Sequence, residues 1–136
     1  MALLKWLLLL VSLTFAYAQT PEQELVVKVL KLLSYKGKSM VVYEHQPSVS
    51  LQGSSFESLT HECHQAGLVY GSAFESLPLA CKALPRFSTD YDDFQKDKNS
   101  IGAFYWRKGR PQLRFNKERC EAFNIILPNE LVQYAQ

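Results

Sequence analysis

The chain has 136 residues, fifteen Lys and Arg against thirteen Asp and Glu, a formal net charge of +2 and three cysteines. A balance so near neutral excludes a nucleic-acid binder that works by clustered excess positive charge. The length is that of one domain, large enough to bury a core, and no stretch beyond the first residues is apolar for long enough to cross a bilayer.

Residues 1–18 read as a Sec-type signal peptide. Lys5 supplies a small positive region, Trp6–Phe15 is an apolar run, and Ala16-Tyr17-Ala18 is an A-x-A cleavage site before Gln19. Cleavage there leaves residues 19–136 as a single exported domain with no membrane span in its mature form, and the loss of Lys5 lowers the net charge to +1.

Thr20-Pro21-Glu22-Gln23 is a helix start: Thr20 caps, Pro21 takes the first helical position, and Gln23 closes a capping box. Leu25, Val26, Val29, Leu30 and Leu33 recur at helical spacing, which predicts an amphipathic helix ending near Gly37. Ser39–His45 reads as a strand buried on both faces, and Gln46–Gly53 as a loop. Ser54 with Glu57 three residues on predicts a second helix that carries Phe56, Leu59 and Cys63 on one face. A strand over Gly67–Tyr70 follows, broken by Gly71-Ser72. Pro78 belongs in a first turn, so a third helix is expected from about Ser76 over Leu79, Ala80 and Leu84. Arg86–Thr89 is a short strand and Asp90–Ser100 a charged loop.

The stretch Ile101–Leu127 is the most telling part of the chain. An apolar strand through Trp106 enters a basic Gly-centred turn at Arg107–Arg110, and a second strand runs through Leu113 and Phe115, which makes a β-hairpin. Asn116 can cap a short helix over Lys117–Phe123, and Asn124 suits the left-handed residue that ends it. Helices alternating with strands predict an α/β domain: a mainly parallel sheet, flanking helices, and a C-terminal antiparallel hairpin followed by a short helix.

Export favours oxidation, so one disulfide and one free thiol are expected among Cys63, Cys81 and Cys120; spacing does not choose the pair, and buried unreactive thiols are the alternative. His61-Glu62-Cys63-His64 is the one metal-like cluster, but it lacks a second group to complete a zinc site. Asp90, Asp92 and Asp93 lack the Gly and distal Glu of a calcium loop. There is no nucleophile elbow, dinucleotide fingerprint or phosphate loop, so the sequence offers no positive evidence for an enzyme, a metal or a cofactor.

Ala66–Ser72, Arg86–Thr89, Ile101-Gly102-Ala103-Phe104 and Leu113-Arg114-Phe115-Asn116 together resemble the YfiR family of small periplasmic proteins. In that family a strand ending in Tyr/Phe-x-Gly precedes a helix, and a later segment reads Ile-Gly, apolar strand, turn, Arg-Phe, short helix, aliphatic pair and closing Leu. The counterparts here are Ile101-Gly102, Arg114-Phe115, Arg119–Phe123, Ile125–Leu127 and Leu131, with Val29–Tyr35 resembling the end of the first helix. Lys36-Gly37-Lys38 stands where the family has Arg-Trp-Pro. Gln65 and Ala66 stand where members often carry a cysteine, so the family's disulfides do not transfer. The resemblance implies a periplasmic regulator that binds the periplasmic domain of an inner-membrane signalling protein, with repression of a diguanylate cyclase and hence cyclic-di-GMP signalling as the best-described case.

The leading expectation is therefore a non-enzymatic periplasmic regulator without a cofactor, with a homodimer left open. Exposed aromatics and Arg dominate interface energetics, which points to Tyr105, Trp106, Arg107 and Arg110 as contact residues; core packing is the competing role for the aromatics, and solubility for the arginines. The alternative is a small-ligand binder. Ligands of α/β sheets bind beyond the carboxyl ends of the strands, which here gathers Glu44, His45, Tyr70, Gly71, Ser72 and Thr89. A redox-active thiol protein is a third reading, requiring a bridged pair and an acidic thiol.

Overall fold

Thr20 opens the first helix as its sequence predicts: its hydroxyl accepts from the Gln23 N–H at 3.2 Å, and Pro21 holds the position where a missing N–H costs nothing. The structure, a computed structural model, describes residues 19–35 and 38–136, so the signal-peptide reading of residues 1–18 and Gly37 itself lie outside the described residues. Helix α1 spans Pro21–Leu32, shorter than predicted, because the backbone turns extended at Leu33. The Gln23 side chain does not fold back on the cap; it donates to the Ser50 carbonyl at 2.9 Å.

Two short strands, β1 (Ser34–Tyr35) and β2 (Lys38–Ser39), pair antiparallel. The main sheet holds β3 (Val42–His45), β4 (Leu59–Thr60), β5 (Leu68–Gly71), β6 (Arg86–Ser88), β7 (Ser100–Arg107) and β8 (Arg110–Phe115) in the spatial order 4-3-5-6-7-8. All neighbours are parallel except the β7–β8 hairpin. This is the α/β class the alternating pattern predicts. Helix α2 covers Tyr91–Lys96, α3 Lys117–Ala122 and α4 Asn129–Val132.

The larger core lies on one face of the sheet. There Val26, Val29, Leu30 and Leu33 of the α1 segment meet Val42, Leu68, Tyr70, Phe87, Phe104 and Phe115, with Cys120 of α3 and Leu131 of α4. Burial of this many apolar side chains, at about 1.5–3 kcal/mol each, is the main favourable term holding the fold. The other face carries two smaller clusters: Val69, Phe74, Leu77 and Cys81 in one, and Phe94, Ala103 and Tyr105 in the other. Strands β3 and β5 approach so closely that a Cβ on Gly71 (φ +147°) would sit 1.6 Å from the His45 carbonyl oxygen, so that position requires glycine.

The hairpin turn consists of Lys108 and Gly109, both at positive φ, the conformation that matches strand twist in a two-residue connection. Asn116 accepts from the Arg119 N–H at 2.9 Å and caps α3, and Asn124 has φ +57° after it, both as predicted.

Four further elements differ from expectation. Ser54 does not cap a helix: its hydroxyl accepts from the Phe56 N–H two residues on, a local turn, and Leu59–Thr60 instead pairs parallel to β3. In place of the helix expected from about Ser76 to Leu84 there are two single 3-10 turns, Phe74–Ser76 and Leu79–Cys81, separated by the extended backbone of Leu77 and Pro78. Conversely, the charged run after Asp90 is helix α2: the Asp90 carboxylate accepts from the Asp93 N–H at 3.0 Å, and Asp92 and Asp93 occupy the first turn. The predicted strand Ser39–His45 is divided between β2 and β3, and Tyr43, Glu44 and His45 are half-buried rather than enclosed on both faces.

Candidate functional site

The carboxyl edge of the parallel strands does bring Glu44, His45, Tyr70, Ser72 and Thr89 together, but Glu44, Tyr70, Ser72 and Thr89 anchor the Gln46–Gln52 loop and His45 turns to the Ala73–Ser76 turn. The Glu44 carboxylate accepts from the Ser50 hydroxyl at 2.6 Å and the Leu51 N–H at 2.8 Å. The Tyr70 hydroxyl donates to the Val49 carbonyl at 2.5 Å, Ser72 donates to the Gln46 carbonyl at 2.5 Å, and Thr89 accepts from the Ser48 N–H at 3.2 Å. His45 Nε2 lies 3.0 Å from the Ser76 hydroxyl. Leu51, fully buried, drops from this loop into the larger core. Burial first, and the Glu44 charge second, push the Tyr70 phenol well above its ordinary value, so it stays a neutral donor. These groups are satisfied by the chain itself, and none of the four concavities described on this surface is lined by them.

A largely apolar groove lies at the opposite, amino edge. It encloses about 390 Å³ between Met40 and Val41 before β3, Gly67 before β5, Pro85 before β6, and Phe123 and Ile125 after α3, with Lys38, Ser39 and Gln65 also in its lining. Its walls come from four separate segments, each flanking a strand or helix, so no local sequence motif announces it.

The hairpin separates the four proposed contact residues. Tyr105 is buried, its ring 4.8 Å from that of Tyr91, and its hydroxyl has no hydrogen-bond partner among the described residues. It is a core residue beneath α2. Trp106 is 50% exposed beside Pro111, its cross-strand neighbour. Arg107 and Arg110 face solvent as a pair across the turn, and the Arg107 guanidinium lies 6.0 Å from the centre of the Tyr91 ring. Among the described residues, no carboxylate forms a salt bridge with Arg107, Lys108, Arg110 or Arg114.

Other polar groups are structural. The Arg119 guanidinium donates to the carbonyls of Phe94 (2.6 Å), Gln95 (3.2 Å) and Ser100 (3.0 Å), closing the end of α2. Arg86, largely buried, pairs with Asp97 and donates to the Lys82 carbonyl. Cys63 and Cys81 form a disulfide, which removes Cys63 from any metal set. Cys120 is free and buried, its thiol pushed up to about 11 by burial first and the Glu121 charge second. A raised thiol is the opposite of what the redox reading requires. Compared with known proteins, the chain matches no family model, no curated protein and no solved structure.

Proposed function

We propose that this protein is a non-enzymatic regulator of the periplasm that binds the periplasmic part of an inner-membrane signalling protein through its β7–β8 hairpin. The observation that carries the reading is the tip itself. Trp106, a residue type that dominates interface energetics, stands half out of the protein among Arg107, Lys108 and Arg110, none of them paired to a carboxylate among the described residues. The motif resemblance to the YfiR family supports the same class of partner, including a diguanylate cyclase. Regulation would follow from tighter binding to the partner's inactive state, since a ligand shifts an equilibrium only by its differential affinity.

The test is affinity capture of the tagged protein from the inner-membrane fraction of its own organism. A membrane cyclase, kinase or receptor should be recovered by the unaltered protein and lost with Trp106→Ala, a change expected to weaken a hot-spot contact by about 2 kcal/mol or more. Recovery of no signalling protein refutes the proposal.

One observation favours a small-ligand role instead: the amino-edge groove, about 390 Å³ and largely apolar, falls within the size range of ligand sites. Native mass spectrometry of the purified protein decides this reading. It requires a co-purified small molecule that Gly67→Leu, which fills the groove, removes.

A further inference from the structure

The pleat of the hairpin divides its outer residues, exposed at Trp106, Arg107, Arg110 and Pro111 and half-buried at Gln112 and Arg114, between two faces. Side chains alternate along a strand, and cross-strand partners share a face. Phe104 opposite Leu113 and Trp106 opposite Pro111 continue the larger core outward on one side. On the other side stand Ala103 opposite Arg114, Tyr105 opposite Gln112, and Arg107 opposite Arg110. Ala103 and Tyr105 are roofed by α2, and the Arg107 guanidinium rests near Tyr91 of that helix, which confirms the side. Arg107, Arg110 and Arg114 therefore form one basic face, with the Gln112 amide between Arg110 and Arg114 and Trp106 pointing away from it.

The geometry of this face is regular. Arg107 and Arg110 are directly opposite, with Cα atoms about 5.5 Å apart as in a hydrogen-bonded antiparallel pair. Arg110 and Arg114 are four residues apart on one strand, a span of about 13 Å. An extended chain repeats the same spacing, so carboxylates four residues apart in such a chain would reach both ends of the face.

Strand addition at the neighbouring edge is largely blocked. Pro111 has no N–H to offer, and the outward Phe115 N–H already donates to the Tyr134 carbonyl at 2.9 Å, while the Gln136 N–H returns to the Phe115 carbonyl at 3.0 Å. Contact through side chains on the face is what remains. Arginine suits it, because its planar guanidinium engages a carboxylate bidentately.

We infer that the Arg107–Arg110–Arg114 face binds an extended acidic segment of a protein partner, with carboxylates at positions j and j+4. The inference rests on the partner-binding reading above and deepens it. An anionic membrane surface is the competing occupant, but a flat bilayer met by the tip would touch Trp106, Arg107, Lys108 and Arg110 and leave Arg114, further back along β8, out of contact. Arg114 therefore distinguishes the two.

The experiment uses two fluorescein-labelled peptides of identical composition, each with two glutamates in a Ser/Thr background, placed either four or three residues apart. In an extended peptide the first arrangement puts both carboxylates on one face and the second puts them on opposite faces. Fluorescence anisotropy with the purified protein should show at least about fivefold tighter binding of the four-apart peptide, weakening as salt is raised. Arg114→Glu should abolish the preference and Trp106→Ala should leave it intact. Equal affinities, absence of binding, or a preference that depends on Trp106 overturns the inference. So does co-sedimentation with phosphatidylglycerol vesicles that persists in Arg114→Glu and is lost with Arg110→Glu. Failure of the affinity capture with a positive peptide result would sink the regulator reading alone. Capture that Trp106→Ala abolishes but Arg114→Glu does not would, with a negative peptide result, sink the acidic-segment inference alone.

Discussion

Cys120 is 2% exposed, with its Sγ 3.7 Å from the Ile101 carbonyl oxygen, and it behaves as a small apolar residue holding α3 to the start of β7. Its raised thiol value has a definite sign for stability. Below the ordinary thiol value near 9 both folded and unfolded chains hold the proton, and the thiol contributes no pH dependence. Between 9 and about 11 the unfolded chain loses it first, so stability falls as pH rises through that window, by at most about 2–3 kcal/mol at 1.36 kcal/mol per unit. Urea midpoints at several alkaline pH values should therefore converge between the native chain and Cys120→Ala, because the variant lacks this loss; parallel curves would refute the raised value. The same burial predicts that iodoacetamide leaves Cys120 unmodified in the folded protein and labels it in urea.

The Cys63–Cys81 disulfide shows the same dependence on context at the level of elements. Among the described residues, the sheet face outside β3 and β5 is covered not by an α-helix but by the 3-10 turns Cys63–Gln65 and Leu79–Cys81, and the bond ties these two together over Val69, Phe74 and Leu77. Turns this short bury little by themselves, so the crosslink supplies what a packed helix would. Closing a loop with a sequence separation of 18 is worth roughly 3 kcal/mol. Reduction, or replacement of both cysteines by serine, should lower the urea unfolding free energy by about that amount, and an unchanged midpoint with and without reductant would show the bond to be dispensable. The first helix, the hairpin turn, and the caps at Thr20 and Asn116 were legible in the sequence because each depends on neighbours within about four residues, and the α/β class was legible from the strands even though two of the predicted helices between them did not form. What was not legible depended on distant partners. The Ser54 and Glu57 pattern lost to pairing of Leu59 and Thr60 with β3, and the 76–84 helix lost to Pro78 and the disulfide. Helix α2 is different: Asp90 at the cap, two acids in the first turn and Lys96 in the last are a complete local signal, obscured only by the density of charge around it. Among the site residues, Glu44, His45, Tyr70, Ser72 and Thr89 do share one edge of the sheet, but the bonds of Glu44, Tyr70, Ser72 and Thr89 to the Gln46–Gln52 loop, and of His45 to Ser76, come from folding of distant segments and had no sequence signal.

Across the whole molecule, polar groups are treated in two opposite ways, and the contrast locates where contact with other molecules should be sought. At the carboxyl edge four polar side chains, Glu44, Tyr70, Ser72 and Thr89, are spent on one loop, with the fully buried Leu51 as its plug, so changes there should unfold the edge rather than alter recognition. At the hairpin the last two residue pairs, Trp106 with Pro111 and Arg107 with Arg110, are exposed, with only the Arg107 guanidinium near α2 at the Tyr91 ring, and make no salt bridge among the described residues. Stability should register that difference. Arg107→Glu and Arg110→Glu are expected to change the unfolding free energy by no more than about 0.5 kcal/mol, as for surface positions away from caps and cores, and Trp106→Ala by about 1 kcal/mol because half of its ring is still covered. Glu44→Ala, in contrast, leaves the Ser50 hydroxyl and Leu51 N–H without their acceptor and should cost about 2 kcal/mol or more. Paired urea titrations of these four variants check both halves of the argument. If the tip variants prove as damaging as Glu44→Ala, the hairpin end belongs to the core, and any loss of binding they cause reports on folding instead of contact.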